Sequence, residues 1–396
     1  MKPWNSHDSL VMMAKPCGPL CNLDCRYCYY LKKQGLFQDD DFRMNQNTLE
    51  SFIQQYIDAQ KVPELVFSWH GGEPTLMGLS FFQNVIELQE KYRKPGMRIL
   101  NTIQTNGVTL DDAWCQFFKE NNFLVGLSLD GPAHLHNAYR VDKVGEPSFE
   151  RVMAGLLHLK QHHVDYNVLT TVHKANVSSP IEVYRFLRDD VGAQFIQFIP
   201  IVERVNTTGN QEGYQISKRS VSGKAYGNFL NSIFDEWVKY DVGKTFVQIF
   251  DAALAAWLGQ SPGLCVFEET CGNALVIEHN GDIYSCDHYV EPEYLLGNIQ
   301  HTSLDQMVRT AQQIAFGTTK LDSLPKYCME CDVRFICNGG CPKDRIRRTP
   351  DGEAGLNTLC SGYKAFFTHI DRPMRLMANL VRARQAPANI VELYKD

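Results

Sequence analysis

The sequence predicts an α/β fold: a partial (β/α)6 barrel followed by a small cysteine-rich domain. Three observations carry this. Strand-like and amphipathic helical patterns alternate strictly through the first half of the chain, which implies right-handed βαβ units and a parallel sheet. Glycine-containing polar segments follow the strand patterns, where parallel barrels carry their chemistry. The thirteen cysteines cluster, four within residues 17–28 and eight within 265–360, with Cys115 alone between them. The expected organisation is a barrel over residues 1–222, a helical bridge over 223–260, a cysteine-rich domain over 261–370 and a helical tail over 371–396.

The first strand is read over Ser9–Ala14. Leu49, Phe52, Ile53, Tyr56 and Ile57 form the stripe of an amphipathic helix, with Asn47 and Glu50 as a capping-box-like start. Leu65–Trp69 reads as a buried strand ending in His70-Gly71-Gly72-Glu73-Pro74. A helix carrying Phe82, Val85 and Ile86 comes next, and then the strand Arg98–Ile103, ending in Gln104-Thr105-Asn106-Gly107. The unit repeats: helix Asp111–Asn121, strand Phe123–Leu129 ending in Asp130-Gly131-Pro132, helix around Phe149–Leu157, strand Tyr166–Val172, helix Ile181–Asp189, strand Phe195–Val202. About six units is fewer than the eight of a closed barrel. Residues 203–222 are polar and non-periodic, a lid, a binding segment or a connector. Helices over 224–241 and 247–258 lead to a hairpin, Ala274–His279 and Asp282–Tyr284, turning at Asn280-Gly281. The segment Tyr363–Arg384 reads as helical, interrupted at Pro373, with a packing role.

At 396 residues, 44% hydrophobic and 21% charged, the composition is that of an ordinary globular protein. A net charge of −6 argues against a general nucleic-acid binder. The short cluster Arg345, Arg347, Arg348 reads as a solvated surface turn. Val11–Ala14 is too short for a signal sequence and is followed by Lys15 and Pro16. No run of 18 apolar residues exists, so no membrane span and a cytoplasmic location are expected. In that compartment clustered cysteines point to metal rather than disulfides. Cys115 reads as a small buried hydrophobe.

Cys21, Cys25 and Cys28 stand at C-x3-C-x2-C, with Tyr27 just before the last thiol. A closed metal site takes four protein ligands, so three leave one position open. Cys17 offers a fourth thiolate, and counting alone does not decide between an open and a closed site. A zinc knuckle or a Cys25–Cys28 redox pair are the plainer readings. The spacing resembles the signature of the radical S-adenosylmethionine enzymes. The resemblance implies that Cys21, Cys25 and Cys28 hold a [4Fe-4S] cluster to which S-adenosyl-L-methionine binds. It further implies cofactor contacts from Tyr27, Gly72, Glu73, Ser128, Arg140 and Val202.

Cys265, Cys271 and Cys286, then Cys328-x2-Cys331-x5-Cys337-x3-Cys341 and Cys360, are enough for two four-thiol cages, and spacing alone does not separate zinc from iron–sulfur. The arrangement resembles the SPASM extension, which holds two auxiliary [4Fe-4S] clusters. This implies Cys265, Cys271, Cys286 and Cys341 as one ligand set, and Cys328, Cys331, Cys337 and Cys360 as the other, for three clusters in all.

From about residue 9 to about 370 the chain is similar to the anaerobic sulfatase-maturating enzymes, through Cys21–Cys28, Gly71–Pro74, Gln104–Gly107, Val125–Pro132, Gly281–Val290 and Leu296–Ile299. The resemblance implies oxidation of a peptidyl cysteine or serine to Cα-formylglycine. A 5′-deoxyadenosyl radical abstracts the Cβ hydrogen, Asp287 accepts the proton and an auxiliary cluster takes the electron. The implied partners are an unfolded sulfatase polypeptide with a Cys/Ser-x-Pro-x-Arg-type motif and an electron donor such as flavodoxin or ferredoxin. Tyr30, His70 and Gln104 are the expected peptide contacts; His70 stands where the family often has Gln. Two alternatives share parts of the pattern: a SPASM enzyme crosslinking a ribosomal peptide, and a non-catalytic metal-binding or electron-transfer module.

Overall fold

Hydrophobic alternation builds the sheet first. The structure is a computed structural model that describes residues 10–37 and 41–395, so Ser9 of the expected first strand lies outside it. The strands of the barrel are β1 (Val11–Lys15), β2 (Glu64–Trp69), β3 (Arg98–Thr105), β4 (Phe123–Ser128), β5 (Tyr166–Val172) and β6 (Phe195–Pro200). Between them run α1 (Gln46–Ala59), α2 (Leu79–Tyr92), α3 (Asp112–Glu120), α4 (Ala133–His136), α5 (Phe149–Gln161) and α6 (Pro180–Arg185). Every neighbouring pair from β1 to β6 is parallel, as strict alternation requires. The cap of α1 is Asn45, not Asn47: the Asn45 side chain accepts from the Thr48 amide at 2.9 Å, the usual N-cap geometry.

Two apolar layers clothe the outer face. Phe52, Tyr56, Phe67, Trp69, Phe82 and Phe118 form one, where α1, α2 and α3 pack on β2, β3 and β4. The other lies over β5 and β6, against α7 (Gly223–Tyr240) and α8 (Gln248–Trp257), which flank the short β7 (Phe246–Val247). Cys115 is fully buried in the first layer.

The expected hairpin does not stand apart from the barrel. β8 (Ala274–Glu278) pairs parallel to β1 with Lys15 opposite Glu278, and β9 (Asp282–Tyr284) and β10 (Leu295–Asn298) extend the same sheet antiparallel. The sheet therefore has ten strands, ordered β10-β9-β8-β1-β2-β3-β4-β5-β6-β7. This edge pairing carries the cysteine-rich segment to the barrel's rim.

Beyond it come α9 (Leu304–Val308), α10 (Ala311–Asp322), α11 (Lys326–Met329), α12 (Arg334–Cys337), α13 (Cys360–His369) and α14 (Asp371–Arg382). The last two are core helices: Phe366, Phe367, Met374 and Met377 are buried beneath α7 and α8. Pro373 sits in the first turn of α14, where its missing N–H has no intrahelical partner to lose. Residues 203–216 lie as a strap across the rim. Arg204 donates to the Lys343 carbonyl at 2.6 Å, and the Gln211 amide donates to Glu291 at 2.6 Å. Lys33 donates to Asn210 at 2.7 Å.

Candidate active site at the barrel rim

The loop carrying the three thiols leaves the end of β1 and is held from below by the glycine turn after β2. The Gly72 amide donates to the Gly18 carbonyl at 2.8 Å, and the Glu73 amide to the Leu20 carbonyl at 2.9 Å. A Cβ on Gly72 would fall on the Leu20 carbonyl, so only glycine lets the two loops meet. The Glu73 carboxylate is fully buried, and its charge acts on the Cys17 and Cys21 thiols. It accepts from Thr105 Oγ1 at 2.7 Å, the Asn106 amide at 2.7 Å, and Thr75 Oγ1 and its amide at 2.6 and 3.2 Å. Four donors use the lone pairs of a carboxylate. Glu73 thus locks the loops after β2 and β3 together instead of presenting its carboxylate to a ligand.

The Cys21, Cys25 and Cys28 thiols lie within electrostatic reach of one another. Burial pushes Cys25 up to about 12, against the pull of the Arg140 guanidinium. Cys17 turns elsewhere. It is fully buried beside Glu73 and Glu278, and burial pushes it up to about 12 as well.

Behind Cys25 stands Asp130, a residue sequence reasoning passed over in favour of Ser128. Its fully buried carboxylate accepts from Tyr27 Oη at 2.6 Å, Arg140 Nε and Nη2 at 3.0 and 3.2 Å, and the Thr171 amide at 2.9 Å. Burial alone would raise its pKa; Arg140 and the nearby His173 overcome that and hold it well below the carboxylate range. Tyr27 and Arg140 are therefore fixed side by side, and Arg140 is a buried ion-pair partner rather than a surface one. Ser128 and Gln104 meet inside the barrel at 3.0 Å. Val202 is buried in the core just past β6.

Asp287 faces this rim from the other side, immediately after Cys286. Its carboxylate lies 3.4 Å from Lys15 Nζ and 3.2 Å from Tyr29 Oη. Burial works to raise its pKa, but Lys15, His288, His70 and the Tyr29 hydroxyl together hold it well below the usual range. His70 is pushed down to about 4 by burial and is neutral at neutral pH. Tyr30, an expected peptide contact, is buried. Its hydroxyl is bound to Glu278 at 2.6 Å, and the Lys15 ammonium sits 3.5 Å from its ring centroid. The hydroxyl that reaches Asp287 belongs to its neighbour Tyr29. Lys15 was legible only as a lone charge ending an apolar strand.

The remaining eight thiols fall into two groups. Cys265, Cys271, Cys286 and Cys341 act electrostatically on one another, as do Cys328, Cys331, Cys337 and Cys360. A cavity opens among the second four, walled also by Gly339 and Asn357. All thirteen cysteines are free thiols. Among the described residues, no group of His, Cys, Asp or Glu side chains closes down to a single-ion site. Burial pushes Cys337 and Cys341 up to about 12, so these thiols carry charge only when a cation neutralises them. The donor chemistry fits multi-iron clusters in all three places.

A cavity of about 1190 Å³ lies at the opposite mouth of the barrel, among Arg98, Asn101, Phe123, Gln197 and Phe246. It touches none of the thiols.

Comparison with known proteins agrees with this geometry. Residues 16–187 match the Radical SAM superfamily, and residues 265–332 match an iron-sulfur cluster-binding domain, SPASM. The chain is 48% identical to a serine-type anaerobic sulfatase-maturating enzyme of Bacteroides thetaiotaomicron, over 98% of this chain and 95% of that one. It is 34% identical to a cysteine-type enzyme of Clostridium novyi, over 95% and 99%. A solved structure described as native anSMEcpe with bound AdoMet and Cp18Cys peptide superposes with a TM-score of 0.84 at 32% identity, covering 94% of this chain and 99% of that one.

Proposed function

We infer the function of this chain from the family to which it belongs, the anaerobic sulfatase-maturating enzymes of the radical S-adenosylmethionine superfamily. It oxidises a cysteine or serine residue of a sulfatase to Cα-formylglycine. Iron–sulfur clusters and S-adenosylmethionine are its cofactors. Three [4Fe-4S] clusters are assigned: one on Cys21, Cys25 and Cys28, and two on the four-thiol groups. Cys17, buried against Glu73 and the Gly72 amide, leaves the first an open position. When bound, that cluster and S-adenosylmethionine supply a 5′-deoxyadenosyl radical that takes the hydrogen atom from the substrate Cβ.

The chain's own side chains do the rest. Tyr27 and Arg140, fixed by Asp130, wall the cofactor site with Ser128 and Val202; Arg140 is suited to a carboxylate. Gly72 and Glu73 act by holding the cysteine loop. Asp287 accepts the proton of the substrate thiol or hydroxyl, and Lys15 and Tyr29 hold its carboxylate in place at the rim. Cys286, one residue before it, puts the proton acceptor against the wall of the first auxiliary cage. His70 and Gln104 contact the polypeptide. The observation that carries this reading is the half-buried carboxylate of Asp287, set between the rim residues Lys15, Tyr29 and His70 and the thiol of Cys286.

The test is anaerobic incubation with S-adenosylmethionine, a low-potential reductant such as flavodoxin or ferredoxin, and an unfolded peptide of Cys/Ser-x-Pro-x-Arg type. Mass spectrometry should show loss of two hydrogens from serine, and for cysteine also replacement of sulfur by oxygen. An unchanged peptide beside productive release of 5′-deoxyadenosine would sink the reading; a crosslinked peptide would replace it with the crosslinking alternative.

A further inference from the structure

The sequence places Arg345 in a solvated turn, and the structure overturns this. Its guanidinium reaches inward and donates to a ring of backbone carbonyls: Gly339 at 3.1 Å, Asn338 at 2.9 Å, Gly340 at 3.2 Å and Lys320 at 2.6 Å, with the Ser323 hydroxyl at 3.2 Å. Residues 338–340 are the link between Cys337 of one cage and Cys341 of the other. The charge of Arg345 accordingly acts on both cages, on Cys328 and Cys337 and on Cys341 and Cys271. Among the described residues its hydrogen bonds go to carbonyls and one hydroxyl, and no carboxylate neutralises it.

A second cation completes the arrangement. Lys320, on α10, is fully buried, and its ammonium donates to the carbonyls of Cys265 at 2.6 Å and Val266 at 3.2 Å. Its field falls on Cys271, Cys341 and Cys265, the first cage alone. The Lys320 carbonyl is also the one that Arg345 grips, so the two cations belong to a single brace. Burying Lys320 outright and Arg345 in part, without carboxylate partners, is costly unless an anion compensates. Two cages of four thiolates are the anions at hand.

We propose that Arg345, seconded by Lys320, is a positioning residue for both auxiliary cages and supplies the fixed positive charge that raises the reduction potentials of the clusters they hold. Reduction adds negative charge to a cluster, and a cation fixed nearby in a medium of low polarity favours the reduced form. Lys320 adds this effect at the Cys265–Cys341 cage only. The inference rests on the assignment of iron–sulfur clusters to these cages.

The test uses the full chain reconstituted anaerobically with iron and sulfide, as wild type and as Arg345→Gln, Arg345→Lys and Lys320→Gln. Iron and sulfide are counted first; wild type that binds neither would overturn the cluster assignment itself, a failure distinct from that of this inference. Midpoint potentials of the auxiliary signals are then measured by redox titration followed by electron paramagnetic resonance, with Cys271→Ala and Cys360→Ala chains identifying each signal. R345Q should lower both auxiliary potentials and R345K should keep them near wild type. K320Q should lower the first alone. A merely structural brace would make R345Q and R345K behave alike, since both lose the planar fork; that result, or unchanged potentials in fully loaded R345Q, overturns the proposal. Should R345Q fail to load, K320Q decides, and an unchanged first-cage potential with full iron overturns it equally.

Discussion

Lys15 and Asp287 are joined across 272 residues of sequence: the ammonium that ends β1 lies 3.4 Å from the carboxylate that follows Cys286. Lys15 is buried and the Asp287 side chain is 23% exposed, and the parallel pairing of β8 with β1 brings them together. Lys15→Met should therefore destabilise the chain on the order of 1–3 kcal/mol, the cost of leaving a partly buried carboxylate without its cation. Thermal unfolding of the reconstituted protein measures this; an unchanged midpoint would show that the pair does not hold in solution.

Asp287→Asn keeps the shape of the side chain and removes its capacity to take a proton. Formylglycine formation should fall by about two to four orders of magnitude, as for loss of a general base. Release of 5′-deoxyadenosine should continue, because Asp287 lies outside the Cys21–Cys28 loop. Parallel chromatography of the nucleoside and mass spectrometry of the peptide separate the two events.

Asp130 carries a pH signature. Its folded pKa is depressed, with Arg140 the chief lowering influence, so the stability it contributes is fully present above its unfolded value of about 3.9 and is lost as pH falls toward the folded one. Asp130→Asn should therefore flatten the acid limb of the unfolding midpoint below about pH 4. It should also raise the KM for S-adenosylmethionine by releasing Tyr27 and Arg140. A D130N chain with the wild-type acid limb would show that the carboxylate contributes no such linkage.

At Gly72 there is no space for a methyl group, because the Leu20 carbonyl occupies it. Gly72→Ala should dislodge the cysteine loop and cost the cluster assigned to it, lowering iron by about four atoms per chain relative to wild type. Iron and acid-labile sulfide analysis reads this directly. Full iron in the variant would show that the loop tolerates the displacement.

Cys17→Ser should leave iron content and nucleoside release at wild-type levels, because its thiol is buried against Glu73 and the Gly72 amide. Loss of the first cluster in this variant would mean that four thiols hold it.

The sequence by itself determined the order of strands and helices, since apolar periodicity is local, and it determined the thiol groups, since cysteine clustering and spacing are properties of the string. The rim motifs were likewise visible, as glycine-bearing turns after strands. Three things were decided only by tertiary structure. β8 joined the barrel because an edge strand pairs with whatever edge it meets, which no periodicity encodes. Tyr29 rather than Tyr30 reached Asp287 because a one-residue step in a tight turn redirects a side chain. Arg345 went inward because carbonyls and thiols from distant segments converge there, and a basic run reads as solvated until those partners are assembled. Local pattern fixes what an element is; the partners of a charge are set by contacts made far away along the chain.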